Sequence, residues 1–575
     1  MPLACALPPL GAASLGLGSR VPGVVEILGL LSLTGWVVLA QRRLRAAPAP
    51  ALPEVGLALL GVTAAAVAVI SGGVTGFGTA DPHPLAHLLR PKALAMVAAS
   101  LGCFGALAVW PLLAGAYAWV SDVRPPGALP LNPSWSRGEW IVLGAGLLVQ
   151  GVVFLAHEGP LIQVDSYTNM WEPQLFTHGP DPFHHTPIYV VLIKGLDGLS
   201  PESSLGFSLL IAAQHLLTVG MGLIAARTVR LAGRSDAAGC CAGLLIVCCG
   251  HLSLYAQHLM SETLSIGWTV LATGCVFSAT RSARPARWLI AGGLAAAGAT
   301  LTRQAMQGWF VAPAIAVVLL GFGHRKRALA LYLAGALIPV AALIVHNGVF
   351  LSRYSLTAGL GRNLHYRVAK GLPDLTDPDA EPGDPYERAR ELIWKHRNGS
   401  WLDSYSAITG ELGWSDQQVE EAFKRFYVEQ VKRHPLAFTR VTLDYCWVLL
   451  LAHEDAPSAL GFHNTILSRL TDWEHLPPTE TEGWTARWLH AFQPTSNLLV
   501  LFLAVIAPLV VRGRARILAV TAFLSVGYFV LVTSLVELPV PRYRLPAAPF
   551  IAIACGLSVG SLVRRLSARW GKRAV

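Results

Sequence analysis

The sequence predicts an all-α polytopic membrane protein: a bundle of about 13 transmembrane helices with interfacial helices and a small extracytoplasmic insert. Three observations carry that prediction. Of 575 residues, 53% are hydrophobic and only 14% charged, against about 25% charged in ordinary soluble proteins, and the mean hydropathy is +0.50. Apolar runs near the roughly 20 residues that span a bilayer recur along the chain. Between them sit short connections rich in arginine, the mark of loops held on the cytoplasmic side. The net charge of +10, from 44 Lys and Arg against 34 Asp and Glu, follows from those loops and requires no nucleic-acid partner.

In chain order the spanning segments fall at 22–41, 54–74, 94–120, 139–156, 203–226, 236–256, 260–280, 286–303, 305–322, 326–346, 494–511, 515–535 and 545–563. The basic connections are Arg42, Arg43 and Arg45; Arg124 and Arg137; Arg227, Arg230 and Arg234; Arg281, Arg284 and Arg287; Arg325, Lys326 and Arg327; Arg512, Arg514 and Arg516; and the tail from Arg564 to Arg573. All lie on one side if the N-terminus is extracytoplasmic, which makes the C-terminus cytoplasmic. One missed or invented helix would break that agreement. Three longer polar stretches then face outward: Glu158 to Thr186, Asn347 to about Arg440, and His453 to about Thr495. The division that follows is N-terminal helices over 1–138, a transmembrane core over 139–346 with a first external loop over 157–187, an external insert over 347–440, and a C-terminal interfacial segment with helices over 441–575.

Two apolar runs, Ile188 to Leu199 and Val441 to Leu451, are too short to span and read as interfacial helices at the outer face. Within the insert, the Pro-rich segment from Leu372 to Trp401 reads as a loop and a short helix. The run from Ser415 begins with a Ser cap, keeps helical spacing and ends at Pro435. Of nine cysteines, Cys103, Cys240, Cys241, Cys248, Cys249, Cys275 and Cys555 lie in apolar stretches without metal-site spacing and read as small buried hydrophobes. Arg20 is the first charge, so the N-terminus lacks the basic flank of a cleaved signal.

The first external loop gathers Glu158, Asp165, His178, Asp181, His184 and His185 at the membrane boundary, where ionisable groups need a reason. A carboxylate fixed at the head of a helix can take a proton from a sugar hydroxyl, and Asp165 is best placed for that role. A solvated loop is the plain alternative. His184 and His185 with Asp181 can hold a divalent metal, contact a phosphate or acceptor, or serve the loop alone. Further along, Gln257, His258 and Glu262 lie near the outer end of one helix, Arg303 near that of another, and Arg542, Tyr543 and Arg544 near a third. Glu262 and Arg303 each adjoin an apolar run, where a charge costs roughly 2.5–3.5 kcal/mol unless compensated. They read either as a structural ion pair or as a site in which Arg303, with Arg542 or Arg544, holds a phosphate bidentately. Snorkelling accounts equally for Arg542 and Arg544.

Seven features in order then carry a resemblance. Asp165-Ser166-Tyr167 is similar to an Asp-x-Tyr element after a first core helix, and "HTPIYVVLIKGL" to "PPLYxxLLxxL". Glu262 in "MSETLS" takes the place of a second acidic residue, and Arg303 in "TLTRQ" that of the basic residue of an "LTK/R" element. "VHNGVFLSRYSLTAGLGRNL", "FYVEQVKRHPLAF" and "PRYRLPAAPF" complete the series. Together they resemble the GT-C superfamily of polytopic glycosyltransferases, in particular the branch related to protein O-mannosyltransferases and lipid A aminoarabinose transferases. The resemblance covers about 139–563. Ser166 stands where that family usually has a second acidic residue, and His184, His185 and a single Pro187 stand where several relatives carry Lys or Glu before a double proline.

The resemblance implies a polyprenyl-phosphate-sugar donor and transfer at the extracytoplasmic face to an acceptor hydroxyl on a glycan, lipid or protein. It implies Asp165 as general base with inversion, Glu262 as a second catalytic residue, and Tyr167, His184, His185, Arg303, Arg542 and Arg544 as substrate-binding groups, with a divalent metal as a possible cofactor. The alternatives are a transporter or flippase of a lipid-linked or anionic substrate, and a membrane scaffold. Transporters often have related halves and broken midplane helices, and this sequence displays neither clearly.

Overall fold

A computed structural model of the chain describes residues 135–156, 186–199, 205–351, 354–356, 359–372, 385–397, 401–451, 498–537 and 541–571. The described residues are helical, with no strand among them. The helices are α1 Arg137–Ala156, α2 Pro187–Leu199, α3 Leu205–Gly233, α4 Asp236–Val247, α5 Gly250–Ala256, α6 Glu262–Ala279, α7 Pro285–Thr302 and α8 Val311–Leu319. There follow α9 Arg325–Leu351, α10 Leu360–Gly371, α11 Pro385–His396, α12 Trp401–Leu412, α13 Asp416–Arg433, α14 Pro435–Leu451, α15 Leu498–Val510, α16 Arg514–Val536 and α17 Ala548–Gly571. Short 3-10 turns at Gln304–Met306 and Pro541–Ala547 precede α8 and α17.

Five described helices are long and apolar enough to cross a membrane, and a sixth span is formed if α4 and α5 are one broken crossing. The first three N-terminal segments expected from the sequence lie outside the described residues. The short run over 188–199 is indeed a 13-residue helix, α2. Within the bundle, the stretch around α17 is the centre, with 83% of its apolar window buried, whereas α9 turns most of its surface outward, with only 22% buried. In an aqueous protein exposed Ile338, Val345 and Val349 would be a liability; on a spanning helix they form the face that lipid covers.

Helix starts follow local chemistry. Ser136 and Glu139 form a reciprocal cap on α1: the Ser136 N–H donates to the Glu139 carboxylate at 3.0 Å, and the Glu139 N–H to Ser136 Oγ at 3.2 Å. Glu139 also pairs with Arg230 near the end of α3 at 3.0 Å. Helices approach closely where side chains are missing. A Cβ on Gly293 of α7 would fall against the Tyr332 carbonyl of α9, and one on Gly335 of α9 would fall 2.6 Å from the Ile290 carbonyl, so these glycines bring the backbone of α7 into contact with that of the membrane-length α9.

One expectation needs correction. The 236–256 segment, which contains no proline, is not a single rod: it bends by 51° between α4 and α5 at Cys248–Cys249. The reason lies in the neighbours. Backbone groups freed by a break in the membrane must find partners, and here polar side chains supply them. Gln150 of α1 donates to the Val247 carbonyl at 3.0 Å, Ser253 to the Cys249 carbonyl at 3.1 Å, and Gln214 of α3 to the carbonyls of Ala256 and His258 at 2.9 and 2.8 Å.

The insert between α9 and α15 has its own core, built from α10–α14 around Val368, Ile393, Phe423 and Phe426. As the sequence predicts, α13 begins at a Ser cap, Ser415, and in the structure Gln418 completes a capping box with it. His365 of α10 is 1% exposed and stacks on Phe423 with ring centres 4.5 Å apart. Neither of its ring nitrogens has a hydrogen-bond partner among the described residues. Burial, and secondarily the charge of Lys370, bring its pKa down to about 4 from the usual 6.5. The unfolded chain therefore binds this proton from about pH 6.5 downward while the native insert refuses it until about pH 4. Stability is expected to rise with pH through that window and to be lost as pH falls from 6.5 towards 4, by up to about 3 kcal/mol. His365→Phe should flatten the dependence in thermal melts taken across the window; an unchanged pH slope in the variant would exclude His365 as its source.

Candidate functional site at one end of the bundle

Three chain segments from distant sequence meet where α6 begins. Glu262, the first residue of α6, is 1% exposed. Arg303 ends α7 in an extended conformation, φ −152° and ψ 126°, which turns its side chain out of the helix. Arg303 Nη1 lies 2.5 Å from Glu262 Oε1, and its guanidinium sits over the ring of Tyr543, 5.6 Å from the centroid. Tyr543 and buried Arg544 belong to the 3-10 turn Pro541–Ala547, which packs against α5 and α6. The structure thus brings Glu262, Arg303 and Tyr543 to one place, and Arg544 follows, buried, in the same turn as Tyr543. Neither Glu262 oxygen accepts a well-aligned hydrogen bond among the described residues, so charge is compensated while acceptor capacity is left over.

The turn after Arg303 is held open by partners from α16. Tyr528 Oη donates to the Ala305 carbonyl at 3.0 Å and accepts the Gly308 N–H at 2.9 Å, while Trp309 donates to Ser525 Oγ at 3.0 Å. Non-helical backbone at membrane depth persists only with such compensation.

Beside this turn lies a cavity of about 690 Å³. Its floor is the bundle end, with Gln304, Tyr528, Glu537 and Tyr543; its roof is the insert, with Asn363 of α10 and Glu420, Glu421 and Lys424 of α13. Tyr543, over whose ring the Arg303 guanidinium sits, is among the residues that line the cavity. Asn363 Nδ2 donates to Glu537 Oε1 at 2.9 Å, joining roof to floor. Glu420 is held by the Gly361 N–H at 2.7 Å and by Arg362 at 3.2 Å. Burial nonetheless pushes its carboxyl above the usual range, outweighing the pull of Gly361, Arg362 and Lys424.

Behind the ion pair runs a buried polar network. His215 of α3 faces Gln150 Oε1 through Nδ1 at 2.7 Å and Gln257 Oε1 through Nε2 at 2.9 Å. Because the Gln150 amide nitrogen is committed to Val247 O and to Ser253 Oγ, at 2.6 Å, Gln150 presents its oxygen to His215. Tyr189 of α2 donates to Gln214 Oε1 at 3.0 Å. Burial, reinforced by the charge of Glu262, drives its phenol well above the usual range.

Of the sequence-predicted residues, Asp165, Tyr167, Asp181, His184 and His185 lie outside the described residues, as does the side chain of Arg542. No group of three or more possible metal ligands occurs among the described residues. The residues that sequence reasoning did not single out are Tyr189, Gln150, Gln214, His215 and Glu420. The first four carry a signal, a polar group inside an apolar run, where it is expensive unless paired. Glu420 carries none, since it reads like any residue on the wet face of an amphipathic helix.

No protein-family model matches the chain, and no curated protein matches it. Among solved structures it is similar to the archaeal oligosaccharyltransferase AglB from Archaeoglobus fulgidus in complex with an inhibitory peptide and a dolichol-phosphate, at 15% identity and a TM-score of 0.38, over 77% of this chain and 52% of that one. It is also similar to the oligosaccharyltransferase of that organism tethered to an acceptor peptide, at 16% identity and a TM-score of 0.34, over 74% of this chain and 50% of that one. A third is ArnT from Cupriavidus metallidurans bound to undecaprenyl phosphate, at 14% identity and a TM-score of 0.32, over 74% and 78% of the two chains. This chain spans about half the length of the archaeal enzyme.

Proposed function

We propose that this chain is a membrane glycosyltransferase that moves a sugar from a polyprenyl-phosphate donor to an acceptor hydroxyl at the extracytoplasmic face. The observation that carries the reading is the placement of the buried Glu262–Arg303 pair, beside Tyr543 on the wall of a cavity large enough for a sugar and its acceptor. Asp165, on the loop after α1, takes the acceptor's hydroxyl proton. The freed oxygen attacks the anomeric carbon opposite the phosphate, the bond from that carbon to the phosphate oxygen breaks, and polyprenyl phosphate leaves with the electron pair. Inversion follows from attack on the far side. Arg303 and Arg544 meet the charge growing on the departing phosphate, a contribution that preorganised cations make without reorganising. Tyr167, His184 and His185 contact substrate, and if a divalent metal binds, Asp181, His184 and His185 are the residues that hold it.

The test is transfer of labelled sugar from polyprenyl-phosphate mannose and polyprenyl-phosphate pentose in membranes containing wild type or Asp165→Asn at equal expression. The expected result is transfer by wild type and a loss of at least about 100-fold in the variant, the scale of a positioned general base. Transfer undiminished in Asp165→Asn removes that residue from the reaction.

The broken α4–α5 span favours one other reading, transport of a lipid-linked or anionic substrate, because discontinuous helices line many transport sites. Exchange of labelled carrier lipid across the bilayer that survives Asp165→Asn, with no sugar transferred, would move that reading ahead.

A further inference from the structure

At the end of the bundle away from the cavity, four connections bring arginines together. α16 has Val536 and Glu537 at the cavity and Arg514 at its start, so the two ends are about 34 Å apart at 1.5 Å per residue. Arg281, after α6, reaches back to the Leu231 carbonyl at 3.4 Å, and Arg564 of α17 donates to the Gly233 carbonyl at 2.5 Å. Arg234 lies in the same α3–α4 turn. The nearby acids are engaged elsewhere: Asp236 accepts from the Gly138 N–H at 3.0 Å, and Glu139 pairs with Arg230.

Three features set this cluster apart from basic loops in general. Arg281 Nε is shut off from water without a hydrogen-bond partner among the described residues. Partial burial and the repulsion of Arg514 and Arg234 all act against the charge on Arg281. Arg234 has φ +53°, the sole non-glycine with positive φ among the described residues, and its N–H donates to the Arg230 carbonyl at 2.8 Å. That is the left-handed position closing a helix, where glycine is preferred. A long cationic side chain sits there against backbone preference, a kind of strain that concentrates at functional sites. The tendency of arginines to face one side of a membrane explains their presence in these loops, but neither their convergence nor the strained position of Arg234.

We propose that Arg234, Arg281 and Arg514 form a binding site for a phosphate group, as carried by the headgroup of an anionic phospholipid in the leaflet at this end of the bundle. A phosphate set between the three guanidinium groups relieves their mutual repulsion and supplies an acceptor to Arg281 Nε, and the planar fork of arginine suits it. The bound headgroup ties the α3–α4 turn, the end of α6 and the start of α16 together.

The experiment uses the full chain in nanodiscs of phosphatidylcholine, with or without phosphatidylglycerol, reading thermal stability and the phospholipid retained in native mass spectra. Wild type should melt higher, and retain lipid, when phosphatidylglycerol is present. Arg234→Gly/Arg514→Gln should lose the rise and retain roughly tenfold less lipid. Arg234→Gly alone discriminates further: glycine meets the backbone demand, so its stability in phosphatidylcholine should hold or increase while lipid retention falls. It also serves as the reading if the double variant does not fold. Inorganic phosphate reproducing the rise in phosphatidylcholine discs keeps the site and makes free phosphate its ligand. An equal rise and equal retention in wild type and the variants overturns the proposal, whatever the outcome of the transfer assay.

Discussion

Arg303→Ala should lower stability by roughly 3–5 kcal/mol, because it strands Glu262 in a site 1% exposed with no counter-charge. Transfer activity should fall beyond detection in the same variant. A structural ion pair and a phosphate-binding arginine both predict that loss, so the informative variants are those that separate them. Glu262→Gln/Arg303→Gln removes both charges together and should recover most of the stability in thermal melts, since a neutral pair carries no unmet charge. If Arg303 meets the leaving phosphate, the double variant remains inactive despite folding. Arg303→Lys keeps the charge but loses the fork and the stacking on Tyr543, 5.6 Å away. It should lower kcat by roughly 100-fold, the scale of one preorganised donor, with KM little changed. A folded double variant with wild-type kcat would confine the pair to a structural role.

Arg367→Leu should have the next largest effect, and on a different property. Arg367 of α10 is 0% exposed. Its Nε donates to the Ser534 carbonyl of α16 at 2.8 Å and its Nη2 to Thr442 of α14 at 3.1 Å. The guanidinium lies over Phe438 and Tyr445 at 4.9 and 4.3 Å. This side chain therefore docks the insert on the bundle together with Asn363 and with Tyr427, which donates to the Leu535 carbonyl, and the cavity exists only while roof and floor are held together. Loss of these bonds should cost roughly 3 kcal/mol or more, because a buried carbonyl is left unmet along with the stacking. Hydrogen exchange in α10 should rise and KM for the acceptor should increase, while the core around Phe423 stays intact. Phe423→Ala is the control, since it empties that core directly and should destabilise the insert by about 3–5 kcal/mol. Exchange in α10 unchanged in Arg367→Leu would contradict the docking role.

Much of this architecture is legible along the chain. The apolar runs and arginine connections predict the described spans, and α16, for instance, covers Arg514–Val536 where the hydropathy indicates 515–535. The arginine alternation also places Arg234, Arg281 and Arg514 at one end of the bundle, where they are found. Ser415 announces the start of α13, because a helix cap is local chemistry. Glu262 and Arg303 stand out because a charge beside an apolar run is costly wherever it falls.

What is not legible depends on partners far away in sequence. The break between α4 and α5 has no proline to announce it; it is stable because Gln150 and Gln214 supply bonds to freed backbone groups from 97 and 42–44 residues away. Glu420 becomes a cavity residue only when α13 closes over α16, and nothing in its own helix distinguishes it from a solvated carboxylate. By itself the sequence determined the class of solvent in which this chain folds, the location of most described helices and the side chains too expensive to be idle, because hydrophobicity, capping and charge act over a turn or two of chain. The tertiary structure alone decided which of those side chains meet, where the membrane helix is interrupted and how the insert walls a cavity, because those outcomes follow from long-range bonds whose partners no local pattern specifies.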